Sequence, residues 1–467
     1  MPGRMAEGID GAFGLRGTTE ISTSKNAHAK PSVATIGSME PVLLDDQQPQ
    51  VKILRIAYIV PEYVPRIVGG LGTYAQYMCP ALADLGHEIT VFTLNDGTLR
   101  NQENIDGVEV FRPNAIDIPA GVLELLPGDS RLWGIPQILL HNIIAASQLI
   151  DLIKKDGRQF DIIAVHDWLS GIAGLIASSN TERPLVFHIH SSERGRGMGN
   201  GSQTIASIEH RTGQSAQRII TVSYAMQEDL VDQGFDSDKI RVCWNGVDVQ
   251  KYDPKRVSPE ERLALRRRYG IADDERMLLF IGRLTAVKGT VELVEAMARV
   301  QDPLVKLVIL GCGDLEGAVT DTISLNGLED RIKTRFEFVS EEERICHLAA
   351  CDIAVFPSKY EPFGIVALEA MAMEKPVIVG AGGISGLREI VISSGENRNG
   401  CHVNGQDAAD IHAWGLEPLL SLSSQELKEM GRRSRERVLE HFTWDRIASQ
   451  TAEVYAQTKK SAELYGK

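Results

Sequence analysis

The 467-residue sequence lacks long apolar runs, closely spaced cysteines and a positive net charge. No stretch of about 18 apolar residues occurs, and residues 1–30 lack the basic-then-apolar order of a secretory signal, so we expect a cytoplasmic protein. The six cysteines form no CxxC pair, which predicts free thiols and no zinc site. A formal charge of −14 gives no electrostatic reason to expect nucleic acid or an anionic membrane as a partner.

The composition is that of a folded protein, with 43% hydrophobic and 24% charged residues, and the length suits two or three domains. The first 50 residues differ from the rest, because they are rich in Gly, Ser, Thr, Gln and Asp and show no apolar periodicity. We expect residues 1–50 to form a disordered leader that carries no chemistry.

From Leu54 onward, short β-branched runs alternate with helical stretches, which is typical of parallel sheets covered by helices. The polar stretch 258–274 interrupts the alternation, so we predict an N-terminal Rossmann-like domain over 51–256 and a second over 257–442. The last segment, 443–467, contains a predicted helix at Thr443–Lys459 with Thr443 as its cap. The predicted strands are Arg55–Val60, Glu88–Leu94, Asp161–Val165, Leu185–Ile189, Ile240–Cys243, Met277–Ile281, Val305–Leu310, Ile332–Phe338, Ile353–Phe356 and Val377–Val379.

Two carboxylates, Glu361 and Glu369, lie eight residues apart, which is close to two helical turns. If Pro362 occupies the first turn, a helix starts beside Glu361 and carries Glu369 on the same face. Backbone N–H groups at that helix start would add donors and a positive dipole end, namely those of Phe363, Gly364 and Ile365. Carboxylates accept hydroxyl protons and amides bind anions, so a ligand that is part polyol and part phosphate, such as a nucleotide-sugar, suits the mixture.

Arg283 and Lys288 lie in a glycine-bounded loop between the predicted strand Met277–Ile281 and the next helix. Two cations and a helix N-terminus converge there, which favours a diphosphate and the neutralisation of charge as a bond to it breaks. Two solvated surface charges are the plainer alternative. The position after a strand and before a helix favours function, because ligands of such sheets bind at the carboxyl ends of the strands.

A loop of about nine residues separates the first predicted strand from a Gly-Gly-Leu-Gly segment that precedes a helix. Bare glycines allow a backbone to approach phosphate closely. The pattern Gly70-x-Gly72-x-x-Ala75 also fits a dinucleotide-binding turn with Asp96 available for a ribose, so an NAD-dependent oxidoreductase is an alternative. The long loop argues against it, because that fingerprint needs an immediate tight turn.

Two histidine-bearing loops follow strands of the first domain. His166 and Asp167 come directly after Asp161–Val165, and His190 ends Leu185–Ile189. A single histidine in an apolar strand is more often a core residue, but two at one sheet edge favour a ligand site. The sequence therefore predicts that these histidines face the cleft between the domains.

Taken in order, five motifs resemble the retaining glycosyltransferases of the GT-B fold, family GT4. They are Gly69-Gly-Leu, His166-Asp-Trp, His190, Gly282-Arg…Lys288-Gly and Glu361-x7-Glu369. The resemblance runs from about Leu54 to about Gln457 and implies two Rossmann-like domains that face each other across a cleft. It also implies that the second domain binds a nucleotide-sugar donor, the first binds a carbohydrate acceptor, and the final helix crosses back to the first domain.

The resemblance implies a role for each motif residue of the second domain. Arg283 and Lys288 match the pair that grips the donor diphosphate, and Glu369 matches the carboxylate on the nucleotide ribose. Glu361, with the backbone amides that follow it, matches the group that holds the hydroxyls of the donor sugar.

In the first domain, His190 matches the active-site histidine beside the donor sugar and the departing phosphate. Asp167, with His166 before it, matches the acceptor side. Gly70 and Leu71 would approach the diphosphate from the facing domain, so the site is complete only when the cleft shuts.

The family retains the anomeric configuration without a well-placed nucleophile. The acceptor is therefore expected to attack on the face that the diphosphate leaves, and no metal or other cofactor is expected. Arg283 and Lys288 are expected to neutralise the negative charge on the leaving phosphate. Both are therefore predicted catalytic residues, together with His190 and Glu361.

Within the family, the nearest likeness is to the glycogen and starch synthase branch, which implies hexosyl, above all glucosyl, transfer in α-glucan synthesis. That branch carries Lys two residues before Gly-Gly-Leu, where this chain has Ile67, with Arg66 one place earlier. UDP- and GDP-linked sugars therefore stay open beside ADP-glucose. A mannosyl- or other hexosyltransferase that makes a small glycoside or cell-envelope glycan also fits the motifs, as does a catalytically silent sugar-binding subunit.

Overall fold

The computed structural model describes residues 53–95, 97–113 and 135–465. The predicted leader, 1–50, and Asp96, the ribose ligand of the dinucleotide alternative, lie outside these residues. The strands are β1 Arg55–Ile59, β2 Glu88–Phe92, β3 Gln102–Ile105, β4 Val108–Phe111, β5 Ile162–His166, β6 Leu185–Ile189, β7 Arg218–Thr221, β8 Ile240–Val242, β9 Arg276–Ile281, β10 Val305–Leu310, β11 Ile332–Arg335, β12 Ile353–Phe356, β13 Val377–Gly380 and β14 Gly400–Val403.

Helices connect most of these strands, and several start at side-chain caps. Capping boxes begin two of them, where Ser258 pairs with Glu261 and Ser423 pairs with Glu426. Among the helices of the described residues, none combines the length and the apolarity that a membrane crossing requires. The α-helices are Gly70–Asp84, Ile135–Lys154, Asp167–Thr181, Glu193–Arg196, Gln203–Ser215, Tyr224–Asp232, Pro259–Arg268, Thr290–Met297, Glu316–Leu325, Glu341–Ala350, Ile365–Ala372, Leu387–Ile390, Ala408–Asp410, Glu417–Leu420, Ser424–His441 and Trp444–Tyr465.

Two sheets organise the part of the chain that the structure describes. The first has the strand order β3-β4-β2-β1-β5-β6-β7-β8 and is parallel except for the pair β3 and β4. The second has the order β11-β10-β9-β12-β13-β14 and is parallel throughout. The chain order reverses between β1 and β5 and between β9 and β12, so each sheet has a switch point where ligands typically bind. The predicted α/β architecture of two doubly wound domains is confirmed, and the loops singled out from the sequence follow these strands.

Three predicted strands, Leu185–Ile189, Val305–Leu310 and Ile353–Phe356, agree with the structure to the residue. Each is a short, largely apolar and buried run, the pattern of a parallel strand covered on both faces. The predicted strand Ile332–Phe338 instead ends at Arg335, and Phe338 in the following loop is 83% exposed. The sequence does not predict β3, β4, β7 or β14, which are only four residues long.

The helix that carries Glu369 begins later than the sequence predicts. It spans Ile365–Ala372, so Pro362 lies in the preceding loop and not in the first turn. The cause is Gly364, whose φ of +108° turns the chain immediately before the helix. A Cβ at this position would lie 2.3 Å from Leu387, so the turn requires glycine.

The final helix, Trp444–Tyr465, starts one residue after the predicted cap and extends six residues beyond the predicted end, Lys459. It packs on the helix Gly70–Asp84, where the rings of Trp444 and Tyr77 stack with 5.5 Å between centroids. The domain boundary predicted at 256/257 falls between β8 and β9. The chain thus passes from the first sheet to the second and returns to the first with its last helix.

Candidate active site

The loop after β12 holds Glu361 at the carboxyl edge of the second sheet. Its N–H donates to the carbonyl of Ile384 at 3.2 Å, and its carbonyl accepts from the N–H of Gly386 at 2.9 Å. The chain then enters the helix Ile365–Ala372, whose first N–H groups have no partner within the helix. A carboxylate and a helix N-terminus are thereby fixed within one short loop.

Lys288 and Glu361, which are predicted to bind different parts of one ligand, contact each other. The Nζ of Lys288 lies 2.5 Å from Oε2 of Glu361, and the Ser358 hydroxyl donates to the same oxygen at 3.4 Å. Arg283 is exposed, and its guanidinium forms no hydrogen bond or ion pair with any other described residue. One cation of the predicted pair is therefore open to an anion, while the other is held by a carboxylate.

Glu369 lies deeper in the same helix and is only 5% exposed. Its Oε2 is 3.4 Å from Nε of Arg344, which makes an ion pair, yet this oxygen has no hydrogen-bond donor among the described residues. Burial raises the pKa of Glu369, although the positive charge of Arg344 opposes that shift. A buried carboxylate oxygen without a donor is costly, so the position suits a hydroxyl group of a ligand.

Two residues at this edge are not among the predicted site residues. Arg344 pairs with Glu369 and donates to the hydroxyl of Tyr252 at 2.7 Å, but 25 residues separate the pair and no spacing rule signals it. Phe338 lies exposed in the loop after β11. For Phe338, the available sequence signal is an apolar aromatic residue near the end of a predicted strand.

The glycine-rich loop of the first domain is capped by a carboxylate that the sequence did not single out. Oε2 of Glu62 accepts from the N–H groups of Val68 and Gly69, each at 3.0 Å. A Cβ on Gly70 would meet nothing within 4 Å, so the backbone there has open space. Gly70 and Leu71 can therefore be approached by a ligand, while the neighbouring amides already bind Glu62.

Three histidines stack at the carboxyl edge of the first sheet. The register of β5 and β6 sets His166 opposite His188, and His190 follows two residues later. Nδ1 of His166 lies 3.0 Å from Nε2 of His190, and Nε2 of His188 lies 2.7 Å from the hydroxyl of Tyr455 on the final helix. Burial lowers the pKa of all three rings, which favours their neutral forms at pH 7.

Asp167 fastens the loop after β6 to the end of β5. Its φ of +50° is uncommon for a residue with a side chain. Oδ1 of Asp167 accepts from the N–H of His190 at 2.7 Å and from that of Ser191 at 3.4 Å. Both His166 and Asp167 are buried, and these contacts are to their own domain. Their predicted acceptor-side role stays a prediction.

The carboxyl edges of the two sheets touch beside the predicted residues. The N–H of Ser192 donates to the hydroxyl of Tyr360 at 3.2 Å, which joins the loop after β6 to the loop after β12. The hydroxyl of Ser223 donates to the carbonyl of Pro362 at 2.7 Å. These contacts join the loops that follow His190 and β7 to the loop that carries Glu361. His166, which the sequence places at the cleft, is instead fully buried within the first domain.

Both halves of the chain match glycosyltransferase family models. Residues 68–251 match the family described as Glycosyltransferase Family 4, and residues 261–437 match Glycosyl transferases group 1. An uncharacterized glycosyltransferase of Methanocaldococcus jannaschii is 33% identical over 423 residues, covering 89% of this chain and 100% of that protein. Glycogen synthase of Mycobacterium tuberculosis is 28% identical, covering 87% and 95%. D-inositol 3-phosphate glycosyltransferase of Pseudarthrobacter chlorophenolicus is 31% identical, covering 83% and 90%.

Solved structures match most of the chain. Sucrose-phosphate synthase from Thermosynechococcus elongatus has a TM-score of 0.69 at 24% identity, covering 87% of this chain and 100% of its own. The catalytic domain of starch synthase IV from Arabidopsis thaliana, bound to ADP and acarbose, has a TM-score of 0.68 at 16% identity, covering 88% and 100%. At these identities the likeness establishes the fold.

Proposed function

Because this chain belongs to glycosyltransferase family 4 and has the GT-B fold, we propose that it moves a hexosyl group from a nucleoside-diphosphate sugar to a carbohydrate acceptor with retention of configuration. A glucosyl group and an α-glucan product are the assignments that the glycogen synthase relative supports. A small polyol glycoside is the second candidate. It is favoured by the identity to the inositol-phosphate enzyme and by Ile67 in place of lysine before the glycines.

The observation that carries the proposal is the set of acceptors and cations at one sheet edge. The buried Oε2 of Glu369 has an ion pair with Arg344 but no hydrogen-bond donor among the described residues, and it therefore suits a ribose hydroxyl. Arg283, Lys288 and the start of the helix Ile365–Ala372 suit a diphosphate, because guanidinium, ammonium and backbone N–H groups all bind phosphate oxygens. Ribose and diphosphate are linked parts of one nucleotide, so a single donor can satisfy both sets.

Donor binding must rearrange the contact between Lys288 and Glu361. If the ammonium of Lys288 turns to the diphosphate, the 2.5 Å contact opens and Oε2 of Glu361 becomes free to accept from sugar hydroxyls. As the bond to the anomeric carbon breaks, negative charge grows on the leaving phosphate. Arg283 and Lys288 then stabilise charge that exists fully only late in the reaction, which lowers the barrier more than it strengthens ground-state binding.

His190 supplies the first domain's contribution. Its backbone is held by Asp167 and its ring by His166, so the side chain has a fixed orientation at the sheet edge. A neutral ring beside the donor sugar donates one hydrogen bond to a hydroxyl or to the departing phosphate. The acceptor hydroxyl attacks on the same face and passes its proton to that phosphate, which gives retention without a covalent enzyme intermediate.

We assign the charge stabilisation to side chains and helix amides and expect no metal requirement. The measurement is transfer activity with excess chelator, compared with the same assay supplemented with Mg²⁺. Full activity in chelator is expected. Its loss, restored by added metal, would contradict the metal-free assignment.

A panel of nucleotide-sugars tests the function itself. Purified full-length protein is offered ADP-, UDP- and GDP-linked glucose and mannose, each with no acceptor, with glucan primer, or with a small polyol or its phosphate. Release of nucleoside diphosphate that depends on one acceptor class identifies donor and acceptor together. No release from any combination, with the protein folded, would contradict the proposal.

A further inference from the structure

A buried group of aromatic side chains surrounds the candidate active-site histidine. His166 and His188 are essentially inaccessible, and the ring of Tyr58 lies 4.1 Å from that of His166 between centroids. The ring of Tyr74 lies 4.5 Å from that of His190. Nε2 of His190 is directed into this group, towards Nδ1 of His166. The positions of the protons within the group therefore decide what His190 offers to a ligand.

The contact between His166 and His190 allows two proton arrangements. Burial holds the pKa of both rings below its ordinary value, so each ring carries a single proton. In one arrangement, Nδ1 of His166 donates to Nε2 of His190. In the other, Nε2 of His190 donates, and the proton of His166 must then reside on its own Nε2.

The surroundings of Nε2 of His166 decide between the two arrangements. This nitrogen is buried and has no hydrogen-bond partner among the described residues. The ring of Tyr58 is tilted by only 32° from that of His166, so an N–H on Nε2 would run alongside the tyrosine ring and not into its face. Buried N–H groups without an acceptor are rare, whereas a bare acceptor nitrogen is tolerated more readily. The first arrangement is favoured.

We infer that His166 is a positioning residue that holds the proton of His190 on Nδ1. By donating to Nε2 of His190, it leaves Nδ1 of that ring as an N–H group. The role in transfer rests on the proposed function, which puts His190 beside the donor sugar. There, a fixed N–H group can donate to the departing phosphate, whereas a bare nitrogen could only accept from a sugar hydroxyl and could not bind the phosphate oxygens. His166 acts through His190 and needs no contact with the acceptor.

The same three rings do not fit a metal ion. Their ligand nitrogens lie within 4.8 Å of one another, a spacing that could hold one. However, His166, His188 and His190 are stacked, with interplanar angles of 29°, 23° and 15° between the pairs. Nδ1 of His166 and Nε2 of His190 already face each other at 3.0 Å, and Nε2 of His188 already faces the hydroxyl of Tyr455, so these nitrogens are engaged in hydrogen bonds. A hydrogen-bonded stack is what the geometry supports.

Nitrogen NMR of the full chain labelled with ¹⁵N-histidine measures the tautomer directly. Two other histidines serve as internal standards. Nδ1 of His347 lies 2.6 Å from the carbonyl of Glu343 and must carry the proton, whereas Nε2 of His402 lies 2.9 Å from the carbonyl of Val391 and must carry it there. Burial lowers the pKa of both, so both are neutral references. Single substitutions of each histidine assign the signals.

The His190 ring is expected to show the Nδ1–H pattern of His347. The Nε2–H pattern of His402, or a doubly protonated ring at pH 7, would overturn the inference. This spectrum requires no substrate. It therefore decides the tautomer even if the nucleotide-sugar panel shows no transfer, and the two failures are distinguishable.

Two variants of His166 connect the tautomer to catalysis. His166→Phe removes the donor and should release the His190 proton to Nε2, lowering kcat about tenfold with little change in the donor KM. His166→Asn places an amide nitrogen near the position of Nδ1 and should recover most of the rate and the Nδ1–H pattern. Equal loss of kcat in both folded variants, with the His190 pattern unchanged, would overturn the role. If His166→Phe does not fold, the wild-type spectrum tests the tautomer of His190, and the rate and spectrum of His166→Asn test the role of His166.

Discussion

Replacing Lys288 by alanine should lower kcat by about 100-fold. Lys288 places one ammonium group at the sheet edge where the diphosphate is proposed to depart, 2.5 Å from Glu361. Removing one donor that stabilises a leaving oxyanion typically costs about 3 kcal/mol of transition-state stabilisation. At about 1.4 kcal/mol per factor of ten, this corresponds to somewhat more than 100-fold.

The same change should leave the fold intact. The side chains of Lys288 and Glu361 are 21% and 14% exposed, and a partly exposed ion pair of this kind contributes roughly 1 kcal/mol to stability. Glu361 also keeps the hydroxyl of Ser358 as a donor. The free energy of unfolding from urea titrations should therefore fall only slightly.

Lys306→Ala is the matched control. Lys306 is 16% exposed and pairs with Glu275 at 3.2 Å, but it lies at the amino end of β10, the opposite edge of the sheet. The assay is the initial rate of nucleoside-diphosphate release at saturating donor. The control should keep kcat. A folded Lys288→Ala protein with near-normal kcat would refute the assignment of Lys288 to the leaving phosphate.

Three further changes test other parts of the site. Glu369→Gln should raise the donor KM roughly tenfold, because a charge-assisted hydrogen bond becomes a neutral one, and an unchanged KM would remove the ribose assignment. Glu209 lies buried on the helix Gln203–Ser215, where it accepts from the N–H of Glu193 and pairs with Arg196. Burial raises its pKa from 4.5 to about 7, so ionisation of Glu209 destabilises the folded state above pH 7 but not below pH 4.5. The free energy of unfolding of Glu209→Gln minus that of the wild type should therefore rise by about 3 kcal/mol from pH 4.5 to pH 7. A difference that does not change with pH would contradict this. Gly364→Ala should lower the free energy of unfolding by roughly 2–5 kcal/mol, because the positive φ of Gly364 and the nearby Leu387 both oppose a Cβ. An unchanged free energy of unfolding in urea titrations would contradict this account of the turn.

The sequence predicted correctly those elements whose ends depend only on neighbouring residues. The strand Val305–Leu310 is a buried, mainly apolar run, so its pattern alone sets both ends. The strand ends also bring His166 and His190 close together, because β5 and β6 pair in parallel. The helix before Glu369 begins at Ile365 because of the conformation of Gly364 and its contact with Leu387, which lies 23 residues further on. No local rule contains that contact.

The candidate site was predicted as a set of residues but not as a set of contacts. Lys288 and Glu361 were each expected to face a ligand, and the structure pairs them with each other across 73 residues. The ion pair of Arg344 with Glu369 joins two separate helices, so its existence depends on how both pack. Residue type and position after a strand identify candidates. Only tertiary packing determines which of them are paired, buried or exposed.

Calorimetric titration with nucleoside diphosphates tests most directly the claim that the donor binds at the carboxyl edge of the second sheet. One molecule of the preferred nucleotide per chain is expected to bind the wild type and Lys306→Ala equally. Lys288→Ala and Glu369→Gln should each weaken binding, through the diphosphate and the ribose respectively. Binding of undiminished strength to the folded double variant Lys288→Ala/Glu369→Gln would contradict the account.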